Sequence, residues 1–176
     1  MFDHIRSDMR GQEGTWGSLG FWVLLVYRYG RWRYTVRPAL LRKVFSLFYK
    51  IFYKLVQVAS GMELPCEAVI GKGFVIDHCF GIVVSGDASF GDHCRIRTGA
   101  VVGLNRVDQP GSPQIGHHVD IGAGAKLLGP ITIGDNVLIG ANAVVIHDVP
   151  ANCIAVGVPA VVKPRRPPAA VQADQG

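Results

Sequence analysis

Nothing in this sequence pairs its cysteines. Cys66, Cys79, Cys94 and Cys153 lie far apart with no CxxC spacing, which sets aside a thioredoxin-like redox motif and gives no sign of a disulfide framework. Long apolar runs are missing as well. Phe21 to Tyr27, "FWVLLVY", carries no charge but falls far short of the roughly 20 residues a membrane span needs. No charged-then-apolar leader with a cleavage site opens the chain, so the expectation is a cytoplasmic protein with reduced thiols. Acidic residues are scarce at the front: residues 1–60 hold ten Lys/Arg against three Asp/Glu, a net +7, while residues 61–176 hold eight against ten, a net −2. No recognised nucleic-acid motif accompanies the basic charge, so nucleic acid is not an expected partner. No ligand set has zinc spacing either, and no metal is expected.

What the chain does have is glycine and apolar bulk together. Twenty-two glycines and 10 prolines among 176 residues would suggest looseness, yet 49% of the residues are hydrophobic. The glycines must therefore be placed rather than scattered. The length suits one cored domain with a modest appendage.

From Leu64 onward an apolar residue recurs every six positions. The series runs Leu64, Ile70, Ile76, then after a two-residue offset Val84, Phe90, Ile96 and Val102. After a longer break it resumes as Ile115, Ile121, Leu127, Ile133, Ile139 and Val145. Neither a helix of period 3.6 nor an ordinary strand of period 2 keeps that phase. A hexapeptide solenoid does. Each hexapeptide supplies one short strand and one turn, three of them close a triangular coil, and the apolar residue points into the prism. The reading is a mainly β fold, a left-handed parallel β-helix of about four coils, behind a short N-terminal helical segment. Residues 1–62 form that basic segment, 63–163 the β-helix, and 164–176 a flexible tail.

In the front segment, "VFSLFYKIFYKLVQ" places Ser46, Lys50, Tyr53 and Gln57 on one helical face and apolar residues on the rest. Two readings stay open. This helix and the one around Phe21–Tyr27 pack on each other and on a partner subunit, with their basic residues merely solvated. Alternatively, the basic, aromatic-rich surface rests on an anionic membrane at its cytoplasmic side.

Two interruptions of the repeat carry more information than the repeat itself. The offset pushes "DHCFGI" out of phase, and "GLNRVDQPGSPQ", Gly103 to Gln114, is too long for a corner and reads as an extended loop leaving the prism. Such a loop could cover a neighbouring subunit's groove.

The stretch "GKGFVIDHCFGIVVSGDASFGDHCRIRTGAVVG", followed by "VDIGAGAKLLGPITIGDNVLIGANAVVIHDVPANCIAVGVPAVV", resembles the catalytic part of the serine O-acetyltransferase family of hexapeptide acyltransferases. The resemblance runs from about Glu63 to Lys163. It implies a homotrimer that transfers acetyl from acetyl-CoA to a hydroxyl, with active sites between subunits. It puts the family's principal histidine on His78 and the acid that orients it on Glu63, where the family has aspartate. Asp77 matches the partner of a second histidine. The family's Arg-His-Pro triplet after the extended loop reads Gly111, Ser112, Pro113 here, so that histidine and the amino-acid-binding arginine are missing. The short basic front end is more similar to exopolysaccharide acetyltransferases of the colanic acid type, which act on sugar hydroxyls. The acceptors in view are therefore a sugar of a polysaccharide or glycolipid precursor, and serine. A non-catalytic trimeric scaffold is the reading from a different class.

The residue types suit the chemistry. A hydroxyl is a poor nucleophile at neutral pH, histidine can take its proton as it attacks a thioester, and a carboxylate on the other ring nitrogen fixes the tautomer. A backbone N–H near a coil edge could stabilise the oxyanion. His117 and His118, just after the long loop, could replace the missing histidine or be ordinary corner residues, while His93 and His147 read as structural. For acetyl-CoA, small residues at coil corners (Gly122, Ala123, Gly140, Ala141, then Gly157 and Pro159) would let a pantetheine arm lie along the rod. Lys163, Arg165 and Arg166 would meet the CoA phosphates.

Overall fold

The computed structural model describes residues 2–11, 17–106, 108 and 110–165. Arg166 and the tail after it lie outside the described residues. Among the described residues three α-helices, α1 (Phe2–Gly11), α2 (Leu19–Trp32) and α3 (Ala39–Ser60), precede fourteen short strands.

The strands sort into three faces. The first carries β1 (Val69–Ile70), β4 (Ser89–Phe90), β7 (Gln114–Ile115) and β10 (Thr132–Ile133). The second carries β2 (Val75–Asp77), β5 (Arg95–Arg97), β8 (Asp120–Ile121), β11 (Leu138–Ile139), β13 (Cys153–Val156) and β14 (Val161–Pro164). The third carries β3 (Val83–Val84), β6 (Val101–Gly103), β9 (Lys126–Leu128) and β12 (Val144–Val145). All pairings are parallel except the last, β13 with β14. This is the expected left-handed β-helix.

Register explains the phase of the sequence. Coils stack 18 residues apart where the repeat is regular, as in Ile115 opposite Ile133. The offset lengthens the first coil, so Ile76 lies opposite Ile96, and the long loop lengthens the second, so Ile96 lies opposite Ile121. After Val145 the path shortens, with Ile139 opposite Ala155. Every phased apolar residue from Leu64 to Val145 is at most 5% exposed. Burying each Val, Leu, Ile or Phe contributes about 1.5–3 kcal/mol, which makes six-residue phase the strongest constraint on this half of the chain.

A stack of coils leaves open edges at both ends. At the C-terminal end β14 folds back over β13. At the N-terminal end the helices do this work with side chains. Tyr27 Oη donates to the Ala68 carbonyl (2.7 Å) and accepts the Ile70 N–H (3.0 Å). Arg28 donates to the Ile70 carbonyl (2.8 Å) and to Gly71. Asp8 of α1 accepts the Phe74 N–H (3.2 Å) and pairs with Arg28 Nε (2.9 Å).

The basic residues of the front segment are therefore not all merely solvated. Arg28 and Arg33 are buried. Arg33 lies over the Tyr49 ring at 4.3 Å and donates to the Gly30 carbonyl (3.1 Å). Gly30 has to be glycine, because a Cβ there would sit 2.5 Å from the Tyr49 ring and 2.7 Å from Cys66 Cβ.

The buried side of α3 also differs from the expectation. Tyr49 is buried and Tyr53 and Val56 are half-buried, while Leu40, Leu47, Ile51 and Leu55 stay exposed. The reason is polar: the Tyr49 hydroxyl accepts the Cys66 N–H (3.3 Å) at the first coil, which turns the tyrosine face inward and the aliphatic face out.

Candidate functional site

The first coil is longer than the regular repeat by two residues, inserted between β2 and β3, and His78 begins that detour. His78 has a left-handed backbone (φ 54°), a conformation histidine adopts more readily than most residues. The detour is pinned rather than loose. Thr98 N–H donates to the Asp77 carbonyl (3.1 Å), Gly99 N–H to the Phe80 carbonyl (2.9 Å), and Gly81 N–H to the Gly61 carbonyl (3.1 Å) at the end of α3. Cys79 points inward, where burial pushes its thiol pKa up. His78 and Phe80 point outward. A cavity of about 310 Å³ opens here, lined by Gly17–Gly20 at the start of α2 and by Ile76, His78, Cys79 and Phe80.

Glu63 arrives from the other side. It forms a parallel bridge with Val83, just past the detour, and its exposed carboxylate accepts Gln57 Nε2 (3.2 Å). Among the described residues no hydrogen bond joins Glu63 to His78. Asp77 is engaged elsewhere, with Arg95 (2.8 Å) and Arg97 (3.6 Å). Arg97 in turn pairs with Asp120, so these four residues form a charged ladder down the outside of the second face.

The corners of the prism form three edges of different character. The His78 edge continues coil by coil through backbone bonds: Gly99 to Phe80, Gly124 to Thr98, and Asn142 to Ala123. Below these, Gly157 at the turn after β13 accepts the Val144 N–H. The small residues Ala123, Ala141 and Gly157 therefore lie along the edge that His78 heads. At about 4.8 Å per coil, His78 stands roughly 19 Å above Gly157. Gly122 and Gly140 are fixed by stacking itself, since a Cβ on Gly122 would sit 2.6 Å from Ala141 N and one on Gly140 would sit 2.7 Å from a Val156 methyl. Pro159, in a cis peptide after Val158, closes the turn at the bottom.

The second edge holds most of the other histidines. His117 Nδ1 accepts the Asp92 N–H (3.0 Å), and the His117 N–H donates to Asp135 (2.6 Å). Asp92 accepts the Lys72 N–H (2.9 Å), the main reason its carboxyl is held below the usual range. His93 and His118 stack at 5.2 Å, both with positive φ, followed down the edge by Asn136 and Asn152. Arg165 donates to the Asn136 carbonyl (3.2 Å). The cationic end, Lys163 and Arg165, thus runs back across the second face toward this edge, away from Ala141 and Gly157. The third edge carries His147, with Asp148 accepting the Thr132 N–H (2.7 Å), and the long loop. Ser112, which the resemblance sets opposite the family's second histidine, is buried and its hydroxyl donates to Ser85 Oγ (3.0 Å).

Among the described residues there is no cluster of three or more His, Cys, Asp or Glu side chains that could hold a metal. The small-residue edge gave a sequence signal, "IGAG" and "IGAN" in successive coils. Two features gave none: the N-terminal turn of α2 beside His78, and the ladder that occupies Asp77.

Comparison with known proteins adds three findings. The bacterial transferase hexapeptide family (six repeats) matches residues 112–147. A serine acetyltransferase of Synechococcus elongatus is 37% identical over 141 residues, 80% of this chain and 55% of that protein; the chain spans about half the length of that relative. An Escherichia coli K12 protein, named as a colanic acid biosynthesis acetyltransferase, is 32% identical over 157 residues, 86% of this chain and 95% of its own. Among solved structures, a serine acetyltransferase in complex with CoA superposes with TM-score 0.73 at 28% identity, covering 91% of this chain and 66% of that one.

Proposed function

Because the chain belongs to the serine acetyltransferase-like bacterial hexapeptide transferases, we propose that it moves an acetyl group from acetyl-CoA to a hydroxyl of a sugar in a polysaccharide or glycolipid precursor. One observation carries this reading: His78 heads the edge on which Ala123, Ala141 and Gly157 leave room for an extended arm. A pantetheine chain laid along that edge brings its thioester up to the imidazole.

His78 acts as general base. It takes the proton of the acceptor hydroxyl as the oxygen attacks the thioester carbonyl, giving a tetrahedral oxyanion. Collapse of that intermediate breaks the carbon–sulfur bond, and the imidazolium returns the proton to the departing thiolate. Glu63 is the positioning carboxylate, engaging the other ring nitrogen once donor and acceptor are bound. The positive end of the α2 dipole borders the cavity and favours negative charge there. Sites between subunits of a homotrimer fit this arrangement, since the long loop leaves the prism at a different edge from the one that His78 heads. Light scattering that returns a monomer at micromolar concentration would remove that part of the proposal.

Serine is the second reading, supported by the serine acetyltransferase relatives. Gly111, Ser112 and Pro113 weigh against it. None carries a charged group to grip a zwitterion, and the Ser112 hydroxyl is already bonded to Ser85. Mass spectrometry of products from acetyl-CoA, with sugar-lipid intermediates and serine in competition, decides between them. Acetylated serine as the main product would overturn the sugar reading, and absence of CoA release with every acceptor would overturn both in favour of a scaffold.

A further inference from the structure

From Leu40 to Val58, nine large apolar side chains of α3 are exposed. At 100° per residue they fill an arc about 140° wide, broader than the stripe an ordinary surface helix buries. Lys43, Lys50 and Lys54 border this arc on one side, all exposed. Along the same border, Ala39, Arg42, Lys43, Ser46, Leu47 and Lys50 line a groove of about 380 Å³, in which three cationic side chains converge beside apolar ones. No helix among the described residues is long and apolar enough to cross a membrane.

We infer that this face of α3 docks on an anionic lipid surface, with the helix lying in the interface plane, its aliphatic arc at the acyl boundary and its lysine border at the headgroup phosphates. Charge favours lipid over a second copy of the chain. The sequence has no Asp or Glu between Glu13 and Glu63, so a copy packed α3 against α3 would bring a second row of lysines and no acid to neutralise either. An anionic leaflet supplies the missing charge, worth about fivefold in partition for each basic residue near it. The arc is too wide and its aromatic content (Phe48, Phe52) too high for a solvated face, and interfacial helices have this composition.

Sedimentation of the full chain with vesicles tests the inference without turnover. The protein should pellet with vesicles containing phosphatidylglycerol and stay in solution with pure phosphatidylcholine, and 1 M salt should weaken the binding because surface attraction is screened. Lys43→Glu with Lys50→Glu should lower partition by at least roughly thirtyfold. Leu47→Gln with Ile51→Gln, both at exposed positions that leave the fold intact, should also lower it while the oligomeric mass stays unchanged. Equal binding to both vesicle types, or none to either, would overturn the inference. So would a change in oligomeric mass in Leu47→Gln/Ile51→Gln with vesicle partition intact, which would assign the face to contacts between copies.

Discussion

Glu63 pairs in parallel with Val83, and through that bridge the end of α3 is tied to the strand immediately after the His78 detour. The carboxylate and the imidazole are thereby held on neighbouring parts of the first coil without being locked to each other. Removing a positioned general base costs about a hundred- to ten-thousandfold in rate, and an exposed histidine contributes little to folding. His78→Ala puts alanine on a left-handed backbone and should cost about 1 kcal/mol of stability, leave acetyl-CoA affinity nearly unchanged and cut acetyl transfer by at least about two orders of magnitude. Glu63→Gln should show a smaller loss with the same affinity. Normal turnover of His78→Ala with the true acceptor would move the catalytic role to His117 or His118.

The buried pair Asp8 and Arg28 makes a stability prediction. Arg28→Met leaves the Asp8 carboxylate buried without its partner and also strips two carbonyl acceptors, Ile70 and Gly71, of their donor. Breaking one side of a buried ion pair costs about 3–5 kcal/mol. Asp8→Asn keeps an acceptor for the Phe74 N–H and leaves Arg28 its two carbonyls, so its cost should be clearly smaller. Urea unfolding of the two variants checks the order; equal losses would mean that the carbonyl bonds of Arg28 contribute nothing.

Much of this fold was legible in the sequence because one apolar residue per rung must be buried, and nothing else keeps phase with it. Ile96 and Ile121 announce a coil whatever the turns between them hold. The corners were less legible. His93, His118 and Asn136 occupy left-handed positions, as His78 does, and Asp92, His117 and Asp135 cap the backbone of neighbouring coils, so similar residue types serve structure on one edge while the exposed His78 lines a cavity on another. Only the count of corners per coil separates the edges. The helical front end was legible as helix but not in its facing: Arg28 and Arg33 are buried by tertiary partners, and two tyrosine hydroxyls, Tyr27 and Tyr49, turn α2 and α3 toward the coil backbone.

His4 of α1 gives a pH signature. Burial, followed by the nearby Arg28 charge, lowers its pKa from 6.5. The unfolded chain therefore binds this proton more readily than the folded one, so stability is full above pH 6.5, falls as pH drops below it, and levels off below the folded value. Asp92, also lowered, acts in a separate window: its contribution is present above 3.8 and lost only as pH falls through its folded value. The melting temperature should drop between pH 7.5 and 5.5, and His4→Leu should abolish most of that drop. An identical drop in both proteins would assign the effect to another group.

The edge that carries Ala123, Ala141 and Gly157 gives the prediction that separates a binding column from a merely tight corner. Gly122 and Gly140 cannot report on acetyl-CoA, because a side chain at either collides with the next coil and would damage the fold first. Ala141 is the useful position: it is exposed, at the corner below Ala123 and above Gly157. Ala141→Phe should keep the melting temperature within a few degrees, since an exposed substitution away from packing is typically worth within about 0.5 kcal/mol. If the pantetheine arm lies along this edge, the ring should raise the KM for acetyl-CoA by at least about tenfold with a smaller effect on kcat. The opposite pattern is expected of His78→Ala, where kcat falls and acetyl-CoA affinity holds. Ala141→Phe with an unchanged KM for acetyl-CoA would show that the small residues answer only to coil geometry, and the donor would then have to approach His78 from the cavity beside α2.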